Sequence, residues 1–235
     1  MELLFLAHRA PFPPDRGDKI RSYHVLRYLA SRAKVHLVAF GETEADFDVP
    51  PVLAERLASV AIVRRGKAQA VAALEALATR RPVSLTAFGS KAMRDAVARV
   101  RADAVYCFSG QMAQYLPADG PPVLMDFVDV DSAKFAGFAE DARGPMRRMM
   151  RREARLLGAF EREVAAQVSA SLFVSDAEAA VFRDGGATGR ILAVENGIDS
   201  VTFDPAAQFA RSSSGLAPCD SLYPDGGRGP VGGSR

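Results

Sequence analysis

Residues 3–40, LLFLAHRAPFPPDRGDKIRSYHVLRYLASRAKVHLVAF, decide the fold because they contain a complete strand–loop–helix–strand unit. The runs Leu3–Ala7 and Val35–Phe40 are short and almost continuously apolar, which is typical of strands buried on both faces. Between them, Lys19–Ser31 places apolar residues three and four positions apart, which predicts a helix. Two such strands joined by a helix predict a parallel pair, since a parallel connection needs a crossover of this length.

The same alternation continues along the chain. Further strands are predicted at Val60–Val63, Ala104–Phe108, Val123–Phe127, Leu172–Val174 and Ile191–Val194. Further helices are predicted at Ala68–Thr79, Lys91–Arg101, Pro145–Ser169 and Asp176–Phe182, the last with Ser175 and Asp176 as its expected caps. Apolar strands that alternate with helices predict an α/β fold, a Rossmann-like doubly wound parallel sheet with helices on both faces.

Composition and charge exclude several classes of protein. The chain has 235 residues, of which 49% are hydrophobic and 25% charged, as in an ordinary globular protein. Its 30 basic and 28 acidic residues nearly balance, which argues against a dedicated nucleic-acid binder. Two cysteines and three histidines are too few, or too badly spaced, for a disulfide scaffold, a cysteine zinc cage or an HExxH site. No apolar run approaches membrane-spanning length and the first residues lack signal-peptide features, so we expect a cytoplasmic protein.

The composition changes near the carboxyl end. Residues 211–235 contain six Gly, five Ser and three Pro, and their few apolar residues stand alone. Such a segment buries too little apolar surface to offset its ordering entropy. It is either a flexible tail or, the interpretation we favour, the product of a frameshifted or truncated reading frame. We therefore expect one domain over residues 1–205 and a disordered or aberrant tail over residues 206–235.

The loop after the first predicted strand is a candidate anion site. It reads HRAPFPPDRGDKIR over residues 8–21, with Gly17 just before the helix. Ligands of open α/β sheets bind beyond the carboxyl ends of the strands, and a helix N-terminus there attracts phosphate. Gly17 would let an anion approach the backbone, while Arg16, Lys19 and Arg21 would add positive charge. The alternative is a proline-stiffened turn with a solvated basic helix start. A GxGxxG fingerprint is absent, so a conventional dinucleotide cofactor is not expected.

Three carboxylates follow the fifth predicted strand. Residues 125–134 read MDFVDVDSAK, with Asp126 at the strand end and Asp129 and Asp131 in the loop. Carboxylates at this edge can orient sugar hydroxyls, act as a base or bind a divalent ion. Metal binding is the weaker of these, because no histidine or further acidic cluster accompanies them. Alternatively, Asp131 or Ser132 caps the next helix and Asp129 completes a turn.

Two further patterns stand outside these loops. VENGID, residues 194–199, follows the last predicted strand, and its Asn196–Gly197 pair favours a turn with positive φ. That turn is either a hairpin or, as its position favours, a domain exit. Six arginines crowd the start of the long predicted helix: Arg143, Arg147, Arg148, Arg151, Arg152 and Arg155. They form either a solvated face or a surface that attracts anionic lipid headgroups or a phosphorylated acceptor.

Together these motifs resemble glycosyltransferase family 4 (group 1), retaining enzymes of the two-Rossmann-domain GT-B fold. PFPPDRGDKIRSYHVLRYLA is similar to the family's proline–glycine loop and first helix, and DFVDVDSAKF, FEREVA and VSDAEAAVF follow in the family's order. ENGID is similar to the N-G-I/V-D signature that precedes the interdomain linker. The D-x-V-D-x-D-S-x-K stretch is closest to bacterial sugar transferases of exopolysaccharide and PEP-CTERM systems. The resemblance covers residues 1–205.

The resemblance implies the acceptor-side N-terminal domain of a metal-independent glycosyltransferase. Such an enzyme would move a sugar from a nucleotide-sugar to a saccharide or lipid-linked acceptor, in exopolysaccharide or cell-envelope glycan synthesis. By resemblance, Asp126 and Asp129 are the catalytic candidates near the reacting sugar, and Gly17 approaches the donor phosphate. Asn196 and Gly197 would shape the crossing to a second domain.

The same resemblance sets limits on the expected activity and partners. The family's nucleotide-sugar domain has no counterpart after residue 205. The alternative is therefore a non-catalytic remnant that binds an acceptor and holds nucleotide-sugars weakly. The expected partners are a nucleotide-sugar, a saccharide or lipid-linked acceptor and, through the arginines, the inner face of a membrane, with no nucleic acid.

Overall fold

The computed structural model of the chain describes residues 1–117 and 119–197. Over these residues the chain forms a seven-stranded, all-parallel sheet in the spatial order β3-β2-β1-β4-β5-β6-β7. The strands are β1 (Glu2–Ala7), β2 (Lys34–Gly41), β3 (Leu57–Arg64), β4 (Ala104–Phe108), β5 (Val123–Val128), β6 (Ala170–Phe173) and β7 (Ile191–Ala193). The predicted Rossmann-like doubly wound α/β fold is confirmed.

Eight α-helices connect the strands within the described residues. They are α1 (Gly17–Ala30), α2 (Pro51–Ala54), α3 (Gln69–Thr79), α4 (Val83–Ala87), α5 (Lys91–Ala98), α6 (Asp131–Asp141), α7 (Gly144–Gln167) and α8 (Asp176–Asp184). Two 3-10 segments, Glu44–Phe47 and Gly110–Tyr115, follow β2 and β4. The predicted helices match α1, α3, α5, α7 and α8, while α2, α4 and α6 were not predicted. The helices α2 and α4 are too short to show a 3.6-residue period.

The strand order reverses at β1, and open α/β sheets bind ligands at such a reversal. From β1 the chain adds β2 and then β3 on one side, and it returns to add β4 on the other side of β1. The register is continuous across the reversal, since Leu3 pairs with Val35 on β2 and with Ala104 on β4. The chain therefore leaves the carboxyl ends of β1 and β4 in opposite directions, which makes this edge a topological switch point.

Alternate residues of the central strands divide the core into two layers. Leu4 and Leu6 of β1 pack with buried side chains of α5, α7 and α8 on one face of the sheet. Leu3 and Phe5 pack on the other face with Leu26 of α1 and a buried side chain of α2. Both faces of β1 are thus covered, which accounts for its continuously apolar sequence.

The sheet and its helices form a compact unit that runs from Met1 to Asn196. The predicted domain boundary at residue 205 lies outside the described residues, as does the predicted aberrant tail over residues 206–235. No helix of the described residues is long and apolar enough to cross a membrane.

Candidate functional site

The loop after β1 neutralises an acidic side chain in the first turn of α1. His8 Nε2 lies 3.2 Å from Asp18 Oδ2, and Arg9 Nη1 donates a 2.8 Å hydrogen bond to the same oxygen. The hydrogen bond from His8 lowers the pKa of Asp18 well below its usual range, although partial burial acts to raise it. The His8 ring is stacked on Phe108 at the end of β4, with ring centroids 5.9 Å apart. This contact fixes the loop across the switch point.

The start of α1 is open to a ligand. A Cβ atom added to Gly17 would meet no atom within 4 Å. The preceding Arg16 forms no side-chain cap, and its half-exposed guanidinium lies 3.7 Å from the equally exposed Asp15. An exposed ion pair of this kind contributes little free energy, so Arg16 is available to an anion. Backbone N–H groups and one cation therefore face solvent at this helix N-terminus.

Lys19, a predicted phosphate contact, is bound inside the protein. Its side chain is 6% exposed, and its Nζ donates a 2.6 Å hydrogen bond to Asp46 Oδ1. Burial acts to raise the pKa of Asp46, but hydrogen bonds from Lys19 and from the backbone N–H groups of Thr43 and Glu42 lower that pKa to about 2. The structure therefore uses the Lys19 charge to hold the loop after β2 against α1.

Arg21, Asp126 and Asn196 meet in one hydrogen-bonded network, in which the Arg21 and Asp126 side chains are buried. Arg21 Nε lies 3.0 Å from Asp126 Oδ2, and Asp126 is wholly buried. Arg21 Nη1 donates to the carbonyl oxygen of Val194 at 2.9 Å and to Asn196 Oδ1 at 2.8 Å. The Tyr106 hydroxyl donates to Asp126, and burial together with the Asp126 charge raises the pKa of Tyr106. The Asp126 side chain has no exposed surface in this arrangement, and its carboxylate holds the Arg21 guanidinium in place.

Asp129 and Asp131 lie at the surface of the same edge. Lys134 Nζ lies 2.6 Å from Asp129 Oδ2 and 3.4 Å from Asp131 Oδ1. Gln111, from the 3-10 segment after β4, donates a 3.0 Å hydrogen bond to Asp131 Oδ2. Partial burial acts to lower the pKa of Lys134, and the two carboxylates raise it above its usual value. Both acids and the amide are partly accessible, and each can hydrogen-bond to a hydroxyl group.

Two non-glycine residues with positive φ lie at the ends of β4 and β5. Ser109 has φ of 78° and Val128 has φ of 72°, a conformation that is rare for a β-branched residue. The β5–β6 register shifts between Asp126 and Val128, and the Val128 N–H donates to Asp126 Oδ1 at 3.2 Å. Backbone strain and strand irregularities of this kind concentrate at functional sites.

A separate cavity lies between α6, α7 and α8. Its volume is about 560 Å³, and Ser132, Gly158, Glu161 and Phe182 are among the residues that line it. Burial raises the pKa of Glu161 to about 7, although hydrogen bonds from the N–H and hydroxyl groups of Ser132 act to lower it. Glu161 ties the start of α6 to α7.

The structure thus divides the predicted site residues into two groups. Gly17, Asp129 and Asp131 are open at the carboxyl edge, whereas Lys19, Arg21 and Asp126 support that edge from within. Gly197 is the last described residue of the chain.

Sequence reasoning missed several functional candidates. His8, Tyr106 and Gln111 were not predicted as site residues, although His8 is the first polar residue after β1 and Gln111 follows β4 by three positions. Across the described ranges no group of three His, Cys, Asp or Glu residues could hold a metal ion.

Neither a scan against protein-family models nor a search of the curated proteins finds a match to this chain.

Proposed function

We propose that this chain is the acceptor-side domain of a retaining glycosyltransferase of family 4 type. The enzyme would transfer a sugar from a nucleotide-sugar to a saccharide or lipid-linked acceptor, in exopolysaccharide or cell-envelope glycan synthesis. The motif order of the sequence supports this assignment. A lipid-linked acceptor would place the reaction at the inner face of a membrane.

The observation that carries the proposal is the polar, open rim at the carboxyl edge of the sheet. Gly17 begins a helix whose N-terminus is unobstructed, and the partly exposed Asp129 and Asp131 follow the end of β5. Arg21 reaches from α1 to Asp126 of β5, so the helix start and the acidic loop belong to one edge. An anion-accepting helix N-terminus beside hydroxyl-binding carboxylates fits a substrate that contains both phosphate and sugar.

The proposed roles follow from accessibility. Asp129 and Asp131 would accept hydrogen bonds from sugar hydroxyls, and the Gln111 amide would donate or accept them. The backbone at Gly17 and the Arg16 side chain would stabilise negative charge on the leaving phosphate. Lys19, Arg21 and Asp126 would hold these groups in place. Such electrostatic stabilisation requires no metal ion.

Chemical-shift mapping by NMR tests the location of the site. Titration with UDP- and GDP-sugars, with free saccharides and with NAD should separate the candidate ligand classes. We expect UDP- and GDP-sugars to shift the amide signal of Gly17, and we expect every sugar ligand to shift those of Gln111, Asp129 and Asp131, which NAD should leave unchanged. Shifts elsewhere in the sheet, or a response to NAD alone, would contradict the proposal.

A transfer assay distinguishes an enzyme from an acceptor-binding remnant. The chain is incubated with radiolabelled nucleotide-sugars and either oligosaccharides or extracted lipid-linked saccharides. Label in the acceptor fraction that is lost in Asp129→Asn and Asp131→Asn variants supports transfer by this site. Saccharide binding without label transfer would support the remnant, which is the second candidate.

A further inference from the structure

The cavity between α6, α7 and α8 is left open because small residues face it. On α6, three alanines line the cavity at intervals of three residues: Ala133, Ala136 and Ala139. On α7, Ala154 and Gly158 line it as well. Residues three or four positions apart share one face of a helix, so both helices turn small side chains toward the same space. Its volume of about 560 Å³ lies in the range of sites that bind small organic molecules.

One wall of the cavity is fixed by a close contact and by buried hydrogen bonds. A Cβ atom added to Gly158 would lie 3.3 Å from the Cβ and Oγ atoms of Ser132, so the start of α6 lies directly against α7. Ser132 donates from its N–H and hydroxyl groups to the carboxylate of Glu161, which is 2% exposed. The wall that these residues form is therefore preorganised.

Positive charge is in excess in the lining of the cavity. Five charged residues line it: Arg151, Arg155, Arg162, Glu140 and Glu161. No ion pair joins the arginines to any acidic residue in the ranges that the structure describes. Both carboxylate oxygens of Glu161 accept from Ser132 instead. The guanidinium groups of this lining are therefore available to an anion from outside the chain.

The charges and the apolar groups of the lining select a class of ligand. With both acids ionised, the lining carries one unbalanced positive charge, which a single carboxylate neutralises. A phosphate monoester carries nearly two negative charges at neutral pH, and Glu140 and Glu161 would repel it more strongly. Val181 and Phe182 of α8 join the alanines of α6 and offer apolar surface to the rest of the ligand.

We propose that this cavity binds a small organic acid, with its carboxylate on Arg151 and Arg155 and its apolar body against α6 and Phe182. Arginine pairs well with carboxylates, and apolar surface removed from water adds to the affinity. The cavity lies apart from the open groups of the carboxyl edge. The inference therefore goes beyond the proposed sugar transfer and does not depend on it.

Titration with three naphthalene compounds tests the proposal. Naphthoate, naphthamide and naphthyl phosphate, substituted at the same ring position, share one apolar body and differ in the head group. The chain contains no tryptophan, so naphthalene fluorescence reports binding without interference from that residue. At about pH 8 we expect naphthoate to bind about tenfold more tightly than naphthamide, because only the carboxylate forms charge-assisted hydrogen bonds with the guanidinium groups. Naphthoate should also bind more tightly than naphthyl phosphate.

Two variants and two matched controls locate the bound acid. Arg155→Gln should weaken the binding of naphthoate about fivefold and leave that of naphthamide unchanged. Ala136→Leu occupies the cavity and should weaken the binding of both compounds. The controls are Arg148→Gln and Ala159→Leu, which alter exposed positions of α7 outside the lining and should bind as the unmodified chain does. Ala136 and Arg155 are also exposed, and circular dichroism confirms that each variant is folded.

Several outcomes would overturn the proposal. These are absence of naphthoate binding, equal binding of naphthoate and naphthamide, and equal losses in Arg155→Gln and Arg148→Gln. Tighter binding of naphthyl phosphate than of naphthoate would assign the cavity to a phosphate ligand. Light scattering that shows a dimer dissociated by Ala136→Leu would assign it to a second copy of the chain.

NMR separates this site from the carboxyl edge. Naphthoate should shift the amide signals of Gly158 and Phe182 and leave those of Gly17 and Asp129 unchanged. The reverse pattern would place the acid at the carboxyl edge and overturn the proposal. Because none of the three compounds contains a sugar, either result is independent of whether the protein transfers sugar.

Discussion

Arg21 and Asp126 stabilise the carboxyl edge as a buried pair whose members depend on each other. Their side chains are 6% and 0% exposed. Each also hydrogen-bonds to uncharged groups, Arg21 to Val194 and Asn196, and Asp126 to Tyr106. Removal of one charge leaves the other buried without compensation, which costs about 3–5 kcal/mol. We therefore expect Asp126→Asn to lower the free energy of unfolding by about that amount in urea titration, even though the side chain keeps its size.

Asp129→Asn is the matched control for that substitution. Asp129 and its partner Lys134 are 33% and 46% exposed, so the loss of this ion pair should change the free energy of unfolding by about 1 kcal/mol or less. Arg21→Gln/Asp126→Asn should be less destabilised than the sum of the two single variants, because it leaves no lone buried charge. Equal effects of Asp126→Asn and Asp129→Asn would contradict the assignment of Asp126 to an internal positioning role.

Glu161 gives the stability of the protein a specific dependence on pH. Its pKa is about 7 in the folded chain and about 4.5 when exposed, so the folded state holds a proton that the unfolded state has lost between these values. Stability therefore falls as pH rises through this interval and is constant above it, a loss of about 3 kcal/mol.

The substitution Glu161→Gln removes that titration but keeps an oxygen that can accept from Ser132. Urea titrations should show the variant gaining stability relative to the unmodified chain as pH rises through the interval. Glu163→Gln, an exposed neighbour on α7, should track the unmodified chain at every pH. A constant difference between Glu161→Gln and the unmodified chain would show that Glu161 is ionised when folded.

The sequence places the site residues at the correct edge but does not reveal which of them are buried. Arg21 lies 105 positions from Asp126 and 175 from Asn196, so their pairing is a tertiary event with no local pattern. Asp126 follows three apolar residues and precedes Phe127, which is the pattern of a buried strand residue. A charged residue at the end of a strand is, however, equally typical of a ligand-binding residue. The burial of a charged side chain can be predicted only when the partner that neutralises it is known.

At the scale of elements, the long and strongly patterned segments are the ones that the sequence predicts. β4 is predicted with its observed bounds, and the helix predicted at Pro145–Ser169 corresponds to α7. By contrast, the start of α4 is held by the carboxylate of Glu153 on α7. The sequence of Val83–Ala87 contains no pattern that predicts this contact. α6 begins at Asp131, where the sequence offered a cap or a ligand and the structure has Val130 in the N-cap position.

The predicted cap at Ser175 is confirmed and gives a test at this scale. Ser175 Oγ accepts a 3.2 Å hydrogen bond from the Glu178 N–H at the start of α8. Ser175→Ala should lower the free energy of unfolding by about 1 kcal/mol. Ser175→Thr should lower it much less, because threonine can also cap a helix. Ser31→Ala removes an exposed serine after α1 and should stay within about 0.5 kcal/mol of the unmodified chain. The three variants are compared by thermal and urea unfolding. Equal losses of stability in Ser175→Ala and Ser31→Ala would contradict the cap.

At the scale of the whole molecule, Arg21 connects parts of the sheet that are far apart in the chain. From the second turn of α1 it reaches the end of β5 through Asp126 and the segment after β7 through Val194 and Asn196. Its side chain therefore crosses the carboxyl edge from the middle of the sheet toward its last strand. The sheet order explains why: β1 stands third and β7 seventh, and a long buried guanidinium can satisfy groups at several strand ends.

This arrangement predicts that the few residues after β7 matter to the stability of the whole sheet. A chain that ends at Gly197 retains both Arg21 acceptors, whereas a chain that ends at Ala193 loses the Val194 carbonyl and the Asn196 amide. Each lost hydrogen bond to a charged donor costs about 1.5–3 kcal/mol, so we expect the shorter chain to unfold at clearly lower urea concentration. Asn196→Ala in the longer chain removes one acceptor, so the urea concentration at which it unfolds should lie between those of the two chains. Glu195 is an exposed neighbour, and Glu195→Ala should leave that urea concentration unchanged. If the chain ending at Ala193 is as stable as the chain ending at Gly197, then Arg21 is satisfied by Asp126 alone and the segment after β7 is not part of the network that holds the carboxyl edge.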